Sequence, residues 1–217
     1  MRLNEIKLYR MTHIENIPHI LSHGITHKNS PNSNPDYVMI GDTSIIETRT
    51  NKRVTVDNGE YLLTAREIVL GDFIPFYFGV RMPMLYVIQN GGNFVERPTP
   101  AEDIIYLKCS LVEVAEAISE FYFSDGHAVN RYTSFFDNSN LHLLPDIIDW
   151  KAVRLHFWGG EENLDIKRKM EAEFLIRGDL SPDLISGFIC NGQTTKQKLI
   201  DFGIDETKIT INPEAYY

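Results

Sequence analysis

Only two of the 217 residues are cysteine, Cys109 and Cys190, too few and too isolated for a disulfide framework or a zinc knuckle. Both lie in apolar stretches, where a thiol stays protonated and packs as a small hydrophobe. No apolar run reaches the ~18 residues of a membrane span. The N-terminal Met1-Arg2-Leu3-Asn4-Glu5-Ile6-Lys7 lacks the apolar core of a secretory signal. Neither G-x-x-x-x-G-K-[ST] nor G-x-G-x-x-G occurs, which leaves NTP hydrolysis and a Rossmann-type NAD site unsupported. The nucleophile elbow G-x-S-x-G is absent too. Of the seven histidines, His19 and His23 have metal-compatible spacing, but no glutamate follows His19, and no metal is expected. Positive charge is also in short supply. With 21 Lys and Arg against 30 Asp and Glu, the net charge is −9. That balance works against general nucleic-acid affinity, which phosphate neutralisation supplies.

What is present describes a globular chain, 43% hydrophobic and 24% charged. Its length suits one domain, residues 1–217, with an adequate core. Strands are expected at 8–13, 73–80, 84–88, 104–109, 121–123, 186–190 and 208–211, with 173–176 extended. Helices are expected after Asn16, which reads as an N-cap with Gly24 as stop, at 111–120 behind a Ser110/Glu113 capping box, at 162–170 and at 194–202. His27–Asp36 is a polar loop and Val38–Glu60 reads as irregular with short strands. Residues 127–160 form a long aromatic and polar excursion with short helices near Pro145–Trp150, the length and character of a functional loop. The pattern is α+β, with six or seven strands and helices around them. Lys151, Arg154, Lys167, Arg168 and Lys169 form a cationic cluster that fits either a solvated helix face or a local basic groove.

Three features invite a chemical reading: Arg10 inside an early strand, the neighbours Arg49 and Arg53, and the Glu171-Ala172-Glu173 triplet. On a strand the two glutamates share a face. They are then either the outward face of an edge strand or carboxylates turned into a cleft, where one could orient a ribose hydroxyl or take a proton.

Five segments in order carry a more specific signal: LYRMTHIENIPHIL (8–21), Ile40-Gly41 followed by Ile46-Glu47-Thr48-Arg49, GDFIPFYF (71–78) with RMPML (81–85), FSDGHA (123–128) and EAEFLI (171–176). Together they resemble the DarT family of bacterial DNA ADP-ribosyltransferase toxins, over residues 8–190. The resemblance implies a compact ADP-ribosyltransferase-like fold with mixed sheets. It implies NAD⁺ as substrate, loss of nicotinamide, and attachment of ADP-ribose to a base of single-stranded DNA, thymidine rather than guanosine. It also implies a bacterial cytoplasmic toxin without membrane or metal, neutralised by a macrodomain antitoxin.

Residue roles follow from the same resemblance. Glu173 matches the catalytic glutamate, with Glu171 in support, and Arg49 matches the catalytic arginine, with Arg53 as the alternative bearer. Arg10, Thr12, His13, Asn16, Arg53 and Tyr77 are expected on NAD⁺, with Tyr77 stacked on nicotinamide. Arg81, Met84, Arg97, His127 and Lys167 are expected on DNA, His127 near the reacting base. The long segment Thr55–Ile68 and the acidic balance depart from the family pattern. Glu173→Ala is expected to abolish transfer while sparing the fold. The rival readings are a transferase acting on RNA or protein, which labelled NAD⁺ with separate acceptors separates, and a non-catalytic NAD- or nucleic-acid-binding module.

Overall fold

Strand β1 (Lys7–His13) pairs along its whole length with β5 (Ile104–Ser110), from Lys7 opposite Ser110 to His13 opposite Ile104. On its other side β1 meets β4 (Phe73–Tyr77) at one position only, Tyr9 opposite Tyr77. This single pair joins two half-sheets. One runs β1, β5, β9 (Ile185–Cys190), β10 (Ile209–Ile211); the other runs β4, β8 (Glu173–Arg177), β6 (Phe121–Ser124), β7 (Phe135–Asp137), β2 (Arg53–Asp57), β3 (Arg66–Val69). The β9/β10 and β2/β7 pairs are parallel and the rest antiparallel. This computed structural model describes residues 1–57, 66–92, 95 and 97–217, so part of the Val38–Glu60 and Thr55–Ile68 stretches lies outside the described residues.

Alternation along the strands sorts their side chains into a large core on one face and two smaller clusters on the other. The large core takes Leu8, Ile74, Phe76, Ile105, Leu107, Phe123, Phe174, Ile176 and Phe188. It is covered by α1 (Ile17–His23), α4 (Leu111–Ala117), α5 (Leu144–Ile147), α6 (Trp150–Val153) and α8 (Gln193–Asp201), which add Ile20, Val114, Leu144, Val153 and Leu199. On the opposite face, Tyr77, Ile104 and Tyr106 pack under α3 (Pro83–Asn90) through Leu85 and Ile88. Phe73, Tyr122, Phe135 and Leu175 form the third cluster. The remaining helices are α2 (Thr43–Asn51) and α7 (Leu164–Met170).

The structure is α+β, and it corrects several local expectations. Residues 84–88 are helical rather than extended. Pro83 opens α3, Gly91 at φ 74° ends it, and Leu85 and Ile88 point the same way while Tyr86 is exposed. A run of five apolar residues fits both periods, and the flanking Pro and Gly decide between them. The first part of Val38–Glu60 contains helix α2, nearly all polar, announced only by Asp42, whose carboxylate accepts from the Ser44 and Ile45 amides at 2.9 and 3.3 Å. Neither Asn16 nor Ser110 caps its helix through the side chain. Ten strands rather than six or seven appear among the described residues. Strand β8 is interior, between β4 and β6, so its glutamate does not belong to an edge.

Candidate active site

Glu173 begins β8 directly opposite Tyr77 of β4. Cross-strand partners share a face, so the carboxylate stands with Tyr77 on the side of the sheet where the two smaller clusters leave a gap. It is fully buried. Its partner arrives from α2: Arg49 Nη1 donates to both carboxylate oxygens, at 3.1 Å to Oε1 and 2.8 Å to Oε2. Oε1 also accepts the Ala128 amide at 2.8 Å. Three hydrogen bonds on about four acceptor sites leave capacity chiefly at Oε2 for a ligand hydroxyl. Arg49 is 9% exposed, and its Nη2 is buried without a hydrogen-bond partner among the described residues. Burial works to discharge the guanidinium, but the attraction of Glu173, that of Tyr77 and the hydrogen bond to Glu173 together outweigh it and hold the arginine charged.

Close backbone approaches fix this pair. A Cβ on Gly71 would strike the Thr50 backbone, so only glycine lets the entry to β4 pass against the end of α2 and set Arg49 over the sheet. On the other side, Ser124 Oγ accepts the Glu173 amide at 3.2 Å and donates to the Gly126 carbonyl at 2.7 Å. Gly126 lies against Arg168, whose side chain a Cβ would meet. Arg168 is buried, donates to Asp125 at 2.9 Å and to Asp165 at 3.0 Å, and its carbonyl accepts the His127 amide at 2.9 Å. The FSDGHA segment is thereby tied to α7 and aimed at the carboxylate.

A cavity of about 450 Å³ opens beside the pair, within the range of small-molecule sites. Its walls come from β1 (Arg10, Met11), the loop before α2 (Lys28, Tyr37, Ile40), α2 (Ile45, Arg49), β4 (Phe73, Tyr77) and α3 (Met84, Ile88). The cations Arg10, Lys28 and Arg49 face one lining carboxylate, Asp42, so a chain of net charge −9 holds a positive pocket. The donors and the size suit a dinucleotide with a charged diphosphate. Arg10 is steadied by the Pro75 carbonyl at 2.8 Å. Tyr77 is 5% exposed, and burial foremost, then Glu173, keeps its phenol protonated; its hydroxyl points to Met84 Sδ at 3.8 Å.

A second carboxylate lies beside the first. Glu171 ends α7 instead of sitting on a strand, and is 5% exposed. Its Oε1 accepts the Met84 amide at 3.0 Å, and its Oε2 is 3.8 Å from His127 Nδ1. Burial raises its pKa above the ordinary carboxylate value, opposed by His127, the Met84 amide and Lys167, with Glu173 adding to the rise. His127 Nε2, like Arg49 Nη2, is buried and unpartnered among the described residues.

Arg10, Arg49, Tyr77, Met84, His127, Glu171 and Glu173 are thus gathered in one place. Thr12, His13 and Asn16 are spent on the walls: Asn16 donates to Thr12 Oγ1 at 3.1 Å and to the Val38 carbonyl at 2.8 Å, and His13 Nδ1 accepts the Glu15 amide at 3.2 Å. Arg53 is exposed on β2 and pairs with Glu67 at 2.9 Å. Arg97 is exposed in a bend. Arg81 lines a separate cavity of about 390 Å³ with Lys7, Arg154 and His156, and Lys167 lies over the Trp158 ring. The sequence reading assigned no part to Ser124, Gly71 or the Ala128 amide, although all three lie in or beside segments it singled out. A hydroxyl or an amide that acts through backbone geometry leaves no compositional trace.

Comparison with known proteins agrees with this geometry. A family profile described as "ssDNA thymidine ADP-ribosyltransferase, DarT" matches residues 9–217. A DNA ADP-ribosyl transferase of Escherichia coli O127:H6 (strain E2348/69 / EPEC) is 30% identical over 193 residues, 88% of this chain and 83% of that protein. The Thermus sp. 2.9 DarT structure in complex with ADP-ribosylated ssDNA superposes with a TM-score of 0.78 at 27% identity, covering 98% of this chain and 96% of that one. The same protein in complex with NAD⁺ gives 0.77 at 26% identity over the whole of both chains. A DNA ADP-ribosyl transferase-DNA ADP-ribosyl glycohydrolase fusion protein of Thermosipho africanus (strain H17ap60334) is 28% identical over 212 residues, 97% of this chain and 49% of the fusion.

Proposed function

Because the chain belongs to the DarT family and is an NAD⁺-dependent ADP-ribosyltransferase of single-stranded DNA, we propose that the buried Arg49–Glu173 pair is its catalytic centre and thymine its target base. The observation that carries this reading is a carboxylate with no solvent exposure, held by the Ala128 amide and by Arg49, which lines a cationic cavity. In the reaction the bond between nicotinamide and ribose breaks, the ribose carbon gains positive charge, and a ring nitrogen of the base bonds to it and gives up its proton. Glu173 orients a ribose hydroxyl through Oε2 and stabilises the developing charge, a preorganised electrostatic role. Arg10 and Lys28 face the diphosphate. Tyr77 supports the nicotinamide end, and Thr12, His13 and Asn16 act on NAD⁺ through the wall they brace. Arg53, paired with Glu67, is the weaker bearer of the catalytic role.

The acceptor base enters from the side of Met84, His127 and Glu171. The unpartnered His127 Nε2 and Arg49 Nη2 are available to an acceptor carbonyl or to the proton that leaves. Arg81, Lys167 and Arg97 contact the strand's phosphates. Transfer of ADP-ribose to template DNA obstructs replication, so the protein acts as a toxin in the bacterial cytoplasm; no helix among the described residues is long and apolar enough to cross a membrane. Such a toxin needs an activity that removes the modification. The transferase–glycohydrolase fusion of Thermosipho africanus joins the two activities in one chain, which supports a macrodomain antitoxin as the partner here. Mass spectrometry of thymine-containing and thymine-free single-stranded oligonucleotides after incubation with NAD⁺ tests the proposal: adducts form on the first alone. Adducts on thymine-free strands overturn the choice of base.

A further inference from the structure

Helix α3 sends Met84 to the cavity and leaves Tyr86 44% exposed elsewhere on its surface. Two rings stand edge-on to Tyr86: Trp158, with centroids 5.7 Å apart, and Tyr217, at 5.2 Å. Trp158 Nε1 donates to the Tyr217 hydroxyl at 2.9 Å, and the Tyr217 hydroxyl donates to the Arg81 carbonyl at 3.0 Å, so these two rings are fixed relative to one another with Tyr86 packed edge-on to both. A cation lies over each outer ring, Lys167 Nζ 5.2 Å from the Trp158 centroid and the Arg81 guanidinium 4.7 Å from that of Tyr217. Phe157, next in sequence to Trp158, is 73% exposed.

The cluster borders the acceptor side of the site. Glu171, which holds the Met84 amide, is close enough to feel the charge of Lys167 and to influence the Tyr217 phenol. Exposed rings interleaved with cations are the composition with which proteins hold unpaired nucleotides: any base offers a π-face to a ring, and the backbone meets the charges. In a duplex those faces are already stacked. An acidic protein surface offers little else to a polyanion, so these cations carry weight.

We infer that Tyr86, Trp158 and Tyr217, with Arg81 and Lys167, form a stacking subsite for a nucleotide that flanks the modified base. The subsite rests on the single-stranded DNA reading above and adds to it a place for the strand outside the catalytic pocket. Because stacking reads the face of a base and not its edge, the subsite tolerates any base and rejects an abasic residue.

The test compares wild type, Tyr86→Ala, Trp158→Ala and Trp158→Phe by fluorescence anisotropy with labelled thymine-containing single strands, and by NAD⁺ binding in the same preparations. The alanine variants should lose affinity for the strand by roughly five- to a hundredfold, the worth of one base–ring stack. NAD⁺ affinity should stay within about twofold, and Trp158→Phe should keep most of its strand affinity. An abasic residue at one flanking position should weaken wild type by a similar factor and weaken Tyr86→Ala no further. Alanine variants that bind the strand as wild type does, or that lose strand and NAD⁺ binding together, overturn the subsite. Wild type that binds and modifies no single strand sinks the acceptor reading itself, a different result.

Discussion

Glu173 and Arg49 compensate each other's charge in burial, and this sets how their substitutions behave. Replacing one member of a buried pair leaves an uncompensated charge, at a cost of about 3–5 kcal/mol. Glu173→Ala therefore lowers stability as well as activity, contrary to the expectation from sequence that the fold is spared. Glu173→Gln keeps an acceptor for the Ala128 amide and a hydrogen bond to Arg49. It should unfold at a denaturant midpoint closer to wild type than the alanine variant does, and lose roughly 10²–10³ in transfer rate. Urea unfolding of both variants checks the ordering, and an alanine variant as stable as wild type would contradict it.

Glu171 yields a pH dependence. Its carboxyl ionises near 4.5 in an unfolded chain and at higher pH in the folded protein, with burial the main cause. The folded state thus binds more protons between the two values, and stability falls as pH rises through that window. Glu171→Gln removes the ionisation and keeps an acceptor for the Met84 amide. Its stability relative to wild type should improve progressively from pH 4 upward. A difference that stays flat between pH 4 and pH 7 would show that the buried carboxylate carries no such shift.

At the scale of elements, α2 is the one that matters most, and it was the least legible. Thr43, Ile45, Ile46, Thr48 and Thr50 are β-branched, no apolar stripe repeats, and Arg49 is its single buried side chain. Helix propensity and periodicity both argue against it; Asp42 and the packing of Gly71 on Thr50 hold it in place. Asp42→Ala should cost about 0.5–2 kcal/mol of stability. It should reduce transfer by more than it reduces oligonucleotide binding, since α2 carries Arg49 and none of the cations assigned to the strand's phosphates. A variant in which both fall equally would place the effect elsewhere. Helix α3 was misread as a strand because its apolar run fits both periods, whereas β1, β5, β6, β8 and β9 have unbroken apolar alternation or runs that only a sheet explains. The strand carrying Glu173 was legible; its interior position was not, because pairing between distant segments leaves no local sign.

For the whole molecule, the division into two half-sheets joined at Tyr9 and Tyr77 explains why a site exists at all. Where the strands part, the face opposite the main core cannot close, and β1, β4, α2 and α3 line the opening. In a protein of net charge −9, strand binding depends on a few local cations outside that opening. Lys167→Ala should flatten the salt dependence of oligonucleotide affinity by about one phosphate contact and leave NAD⁺ binding unchanged. An unaltered salt slope would remove Lys167 from the interface. The sequence picked out Arg49 and Glu173, which the structure pairs, through family motifs and not through composition, whose negative balance argued against DNA.

On the proposed reading Glu173, buried against Arg49, drives transfer of ADP-ribose from NAD⁺ to an unpaired thymine. The most direct measurement is mass spectrometry of one thymine-containing oligonucleotide, single-stranded and annealed to its complement, after incubation with NAD⁺ and either wild type or Glu173→Gln. Extracting a paired base costs a few kcal/mol, so wild type should modify the single strand far faster than the duplex, and Glu173→Gln should modify neither at a comparable rate. Undiminished adduct formation by a folded Glu173→Gln protein would contradict the account.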